Sequence, residues 1–134
     1  MRMVIGWAVF LFSEFAAAGW VQVPTEYGGR MYYDIEGRVR SGNIVSMTSL
    51  SDYDSPSTTK ANDGKRKVMV QYISMTNDME FDCVKRQYRN IGKKYFQSSM
   101  GKGFGYLDNH LPTDWAPLPT TASWFRQAFD AACK

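Results

Sequence analysis

The chain has 134 residues, a formal net charge of +3, a single histidine (His110), and two cysteines, Cys83 and Cys133. One histidine cannot make a zinc site if both cysteines pair with each other, and no apolar run after residue 18 approaches the ~20 residues of a membrane-spanning helix. These counts set aside a metalloenzyme and a helical membrane protein, and they suit one domain.

Met1 to Ala18 read as an export signal. Arg2 gives the positive start, Met3 to Phe12 the apolar run, and Ala16-Ala17-Ala18 the small side chains a signal peptidase needs. Cleavage after Ala18 leaves a mature domain of residues 19–134. No cysteine lies near Ala18, so a lipid anchor is not expected. The expected location is periplasmic, secreted or associated with the cell surface. An exported chain meets oxidising conditions, so Cys83 and Cys133 are expected to form a disulfide.

Trp20-Val21-Gln22-Val23 alternates apolar and polar residues and stops at Pro24, as an edge strand does. Arg30 to Ile35 is a Tyr-rich strand. Arg38 to Arg40 is a short strand, and Ser41-Gly42-Asn43 reads as a tight hairpin turn. Asn43 to Tyr53 follows as a long strand, with Val45, Met47 and Ser49 on one face and Leu50 on the other. Asp54 to Gly64 is made of turn formers and reads as a mobile polar loop. Lys65 to Thr76 returns as a strand, Asn77-Asp78 reads as the next turn, and Met79 to Gln97 as an extended segment bending at Gly92. Strands joined so closely pair antiparallel. Gly101-Lys102-Gly103-Phe104-Gly105 reads as a hairpin or flexible connection.

The period then changes. Thr120 or Thr121 caps a helix that runs to about Cys133, with Phe125, Phe129 and Cys133 on one stripe. That stripe must lie on the sheet, bringing Cys133 to Cys83.

Charge is uneven. Residues 65–102 hold nine basic and three acidic side chains, while the flanking segments are slightly acidic. A candidate binding set for polyanions is therefore Lys65, Arg66, Lys67, Lys85, Arg86, Arg89, Lys93 and Lys94, with Tyr88 or Tyr95 as contacts. Asp78, Glu80 and Asp82 act as acids or bases only with a pocket to tune them. The glycine run matches neither a phosphate loop nor a dinucleotide fingerprint. Asp52-Tyr53-Asp54 meets Pro56 where a calcium loop needs a ligand or glycine. No enzyme activity and no cofactor are expected.

From Trp20 to Cys133 the chain resembles the surface-adhesin protein E family. The likeness rests on Trp20, Tyr32-Tyr33-Asp34, Arg38 to Val45, Leu50-Ser51-Asp52-Tyr53, Asp82-Cys83 with Arg86, Trp115, and a Pro-containing turn before the helix ending in Cys133. It implies an α+β fold: an antiparallel sheet of about six strands with a C-terminal helix held on one face by the disulfide. It also implies a cell-envelope protein, whose best-known relatives bind extracellular-matrix and serum proteins. The expected function is an exported, non-catalytic binding module for a protein or polymer. The alternative is a periplasmic or secreted binder of polyanions or glycans. Export argues against nucleic acid, and a homodimer is compatible with either reading.

Overall fold

Alternating apolar side chains set the strands that line the core, because one buried face of a sheet needs a period of two. In chain order the strands are β1 (Trp20–Val23), β2 (Gly29–Asp34), β3 (Val39–Ser41), β4 (Ile44–Asn62), β5 (Lys67–Asp82), β6 (Gln87–Phe96) and β7 (Gly105–Asp108). A two-residue β8 (Ala116–Pro117) and the helix α1 (Ser123–Ala132) complete the chain. This computed structural model describes residues 19–25, 28–108, 112–121 and 123–134, with Ser123 described in its backbone only. The export signal and His110 lie outside the described residues.

All pairings are antiparallel. Among the described residues the sheet has eight strands rather than six. Six form the continuous order β1-β2-β4-β5-β6-β7, while β3 attaches to β4 and β8 to β6. The two additions are only three and two residues long.

Three local expectations need correction. The stretch from Asp54 is not a loop: β4 continues to Asn62, and Ser57 to Asn62 pair with Tyr72 to Lys67. From Ser57 onward its turn formers are overridden by the backbone ladder to β5, and the real turn is confined to residues 63–66. Asn77-Asp78 is not a turn either, because both residues pair on each side, with Ser49 and Thr48 and with Lys93 and Gly92. The β5–β6 turn falls at Cys83–Arg86, where the Asp82 carboxylate accepts the N–H groups of Val84 (3.0 Å) and Lys85 (2.9 Å). Thr120 and Thr121 sit in the bend before α1, which starts at Ser123.

The main core lies between one sheet face and α1. Met31, Val45, Met47, Met79 and Phe81 face Phe125, Ala128, Phe129 and Ala132. The Phe81 ring meets Phe125 and Phe129 edge-on, at centroid distances of 5.9 and 5.6 Å. Burying each of these rings stabilises the fold by about 1.5–3 kcal/mol. The disulfide between Cys83 and Cys133 joins the sheet to the end of α1, with Cα atoms 5.6 Å apart. On the opposite face Leu50, Ser74 and Phe96 are buried under the connection between β6 and β7.

Candidate ligand-binding groove

The candidate site arises from a break in the β4–β5 ladder. Asp52 pairs with Ser74 and Ser57 with Tyr72, so four residues of β4 oppose only Ile73. Pro56 lies in this gap and brings no N–H to a ladder. Beyond the break the two strands form an arm, Ser57 to Tyr72. It leans on β6 and β7: Ala61 is 1% exposed, and the Asn62 N–H reaches the Asp108 carboxylate at 3.3 Å. The Thr59 hydroxyl hydrogen-bonds the Tyr95 phenol.

A second wall comes from the β6–β7 connection, and it is firmly held. The buried Ser74 hydroxyl donates to the Ser98 carbonyl and accepts the Gly101 N–H at 2.9 Å. The buried Asp52 carboxylate accepts the Met100 N–H at 3.0 Å and pairs with Arg30 at 3.1 Å. Met100 stands at φ 59, a left-handed conformation that a side chain rarely adopts. A 3-10 turn, Ser99–Gly101, held to the sheet at these two points, leads into the glycine-rich stretch from Gly101 to Gly105, which connects the antiparallel strands β6 and β7.

Between arm and connection lies a groove of about 480 Å³, within the range of ligand sites. Tyr95 and its cross-strand neighbour Tyr106 line it. Gln71, Gln97 and Ser98 offer amide and hydroxyl groups, and Arg66 and Lys102 supply positive charge. Phe104 stands 85% exposed and Met69 65% exposed. Glycines flank Phe104, and each meets a local backbone demand. Gly103 has φ +85, and a Cβ at Gly105 would sit 2.6 Å from Cε2 of Phe96.

The electrostatics follow from geometry. Asp63 accepts the N–H groups of Lys65 (2.9 Å) and Arg66 (3.0 Å), and lies 3.9 Å from the Arg66 guanidinium. The Arg66 N–H, then the Lys65 N–H, hold its carboxyl below the usual carboxylate range. Burial, followed by the nearby Asp108 charge, pushes the Tyr95 phenol up to about 12.

The basic set read from sequence is split. Lys65 and Arg66 lie at the arm tip and Lys67 opens β5, whereas Lys85 and Arg86 occupy the turn at its other end. A strand of 16 residues separates them, up to roughly 50 Å at ~3.3 Å per residue. Near the helix, the Arg86 guanidinium covers the Phe129 ring at 5.0 Å, and Tyr88 packs on Phe125 at 4.5 Å. Arg89 binds Glu80 at 2.8 Å and stacks on Trp115 at 4.8 Å. Lys93 and Lys94 point to opposite faces of β6, opposite Asp108 and Leu107 in register. Only Arg66 and Tyr95 of the set line the groove. Lys102, Phe104 and Tyr106 were missed; the glycine-flanked phenylalanine was the available signal.

The three carboxylates considered for acid or base work all have structural partners. Asp78 accepts from Thr48 at 2.6 Å, Glu80 from Arg89, and Asp82 from the turn amides. A wider cleft of about 590 Å³ beside Trp124 is lined by Met31, Ser51, Tyr53, Met75 and Asn77, with no charged side chain. The Asn77 Oδ1 is buried without a hydrogen-bond partner, shielded from the cleft as from solvent. Among the described residues no helix is long and apolar enough to cross a membrane, and no group of acidic, His or Cys side chains could hold a metal ion.

A family model described as surface-adhesin protein E matches residues 20–134. The chain belongs to the surface-adhesin protein E family. Solved structures agree in fold. Crystal form II of Haemophilus influenzae protein E is 13% identical, with a TM-score of 0.65 over 87% of each chain. Another structure of Haemophilus influenzae protein E gives the same identity and TM-score over 87% of this chain and 84% of that one. Protein E from non-typeable Haemophilus influenzae is 11% identical, with a TM-score of 0.60 over 86% of each chain. No curated protein matches the chain in sequence. As a family member the chain is a surface-adhesin-like protein, and at these identities the solved structures speak for its fold alone.

Proposed function

We propose that this adhesin E-family protein is an exported, non-catalytic recognition module that holds a protein or polymer ligand in the groove between the β4–β5 arm and the β6–β7 connection. The observation that carries this reading is the display of Phe104. A phenylalanine 85% exposed, carried on a connection pinned to Asp52 and Ser74, has no packing role of its own. Exposed rings on rigid supports are what recognition sites use, because little conformational freedom is lost on binding. The walls add cations and amides that orient a partner.

Immobilised mature protein is offered envelope fractions and purified extracellular-matrix proteins. Saturable binding that Phe104→Ala removes supports the reading. Absence of binding to every fraction overturns it. Fractionation of the producing cells distinguishes periplasmic, secreted and surface-held protein.

A second reading rests on Lys65, Arg66 and Lys67 clustered at the arm tip. These would draw a polyanion by field alone, and such binding weakens steeply as salt rises, because exposed charges are screened within about 10 Å at 0.1 M salt. Binding indifferent to salt removes it.

A further inference from the structure

The charge inside the groove is small and specific. Its charged lining residues are Arg66, Lys102 and Asp63, which leave one net positive charge. The Asp63 carboxylate is fixed at the arm tip by two backbone N–H groups, so it stays in place to repel a second anion. Arg66 is 79% exposed and only 3.9 Å from Asp63, a loose surface pair worth little to stability and easily exchanged. Its planar fork suits a carboxylate held by two parallel hydrogen bonds.

The remaining lining has the chemistry of a sugar site. Phe104 and Tyr106 line it with aromatic rings, and the negative quadrupole of a ring face attracts the slightly positive C–H face of a pyranose. Gln71 and Gln97 each offer both a donor and an acceptor, matching hydroxyl groups that also do both. A groove made for a protein segment would instead offer a deep apolar pocket or an open strand edge. Here the exposed apolar side chains are Phe104 and Met69, with Val68 and Val70 half-buried beside them.

We infer that this groove binds an acidic oligosaccharide bearing isolated carboxylates, one uronate-type group held by Arg66 and Lys102 while neighbouring sugar faces lie on Phe104 and Tyr106. A densely sulfated chain does not fit, because Asp63 opposes close-packed anions. This inference rests on the groove being the binding site of the proposed function.

The test titrates the mature protein with a tetrasaccharide of alternating uronate and N-acetylhexosamine, with a heparin tetrasaccharide and with a neutral glucan of equal length. Calorimetry gives affinity and backbone amide shifts give location. The expected result is saturable uronate binding at least about tenfold tighter than the neutral glucan. Heparin is no tighter, and the shifts centre on residues 63–71 and 97–106. Phe104→Ala and Lys102→Gln each weaken it about tenfold or more with an unchanged Tm. Equal affinity for the neutral chain, tighter binding of heparin, or shifts centred on Lys85 to Arg89 overturns the inference. Failure of all three sugars, with a matrix protein still captured through Phe104, sinks the sugar assignment and leaves the proposed function standing. Failure of sugars and proteins alike removes both.

Discussion

Met100 holds its left-handed backbone because the Asp52 carboxylate, 3% exposed on the neighbouring strand, accepts its N–H at 3.0 Å. The same carboxylate pairs with Arg30, so a single side chain couples β2, β4 and the wall of the groove. Asp52→Ala therefore leaves a part-buried N–H without its acceptor and releases a residue from its left-handed conformation. The expected cost is about 2–3 kcal/mol. Urea unfolding measures it, and hydrogen exchange at Met100 should accelerate more than exchange in β5. Unchanged protection at Met100 would show that the connection is held some other way.

Exposure and burial separate two phenylalanines eight residues apart. Phe104→Ala should change stability by less than about 0.5 kcal/mol, as for other surface positions. Phe96, 8% exposed and packed against Gly101 and Gly105, should lose about 3–5 kcal/mol on the same truncation. Gly105→Ala should also destabilise, by about 1–3 kcal/mol, since its methyl would enter the Phe96 ring. Thermal melts of the three variants check the order. A Phe104→Ala protein as unstable as Phe96→Ala would mean that Phe104 packs after all.

The disulfide closes a separation of 50 residues and fastens the end of a ten-residue helix. A helix this short is marginal without tertiary support. Cys133→Ser should cost about 2–5 kcal/mol. The loss begins in α1, so Phe125 and Phe129 become exposed and proteases cut after Trp115. Equal melting temperatures for oxidised and reduced protein would contradict this.

Sequence periodicity revealed what depends on a single buried face. The Phe125, Phe129, Cys133 stripe and the Val45, Met47 alternation both lie in the core as expected. The Ser41-Gly42-Asn43 turn was also legible, with Gly42 at φ +63. The β4–β5 arm was not, because most of Asp54 to Lys60 is exposed and so shows no apolar period. Asn77 and Asp78 looked like a turn because these residues bond their own backbone, yet here cross-strand partners on both sides claim the strand. Met79 to Gln97 reads as one extended segment, whereas the chain turns at Cys83–Arg86, and beyond that turn Arg86 and Tyr88 lie against α1. The groove itself depends on the break near Pro56, a tertiary consequence for which one proline was the only local mark.

The last prediction concerns pH. In the fold, burial and the nearby Asp108 charge disfavour the Tyr95 phenolate, raising its pKa from 10 to about 12. The unfolded chain thus releases this proton more readily than the folded one. The contribution is intact below pH 10 and is lost as pH rises from 10 toward 12. Tyr95→Phe cannot ionise, so its stability should fall less over that interval. It also loses the bond to Thr59, which costs about 0.5–1.5 kcal/mol at neutral pH. The stability curves of wild type and variant should therefore converge as the solution becomes alkaline, and the arm should separate from β6 in the wild type first. Urea titrations of both proteins across this interval give the difference directly. Parallel curves would show that the Tyr95 hydroxyl is open to water and that the arm does not seal it.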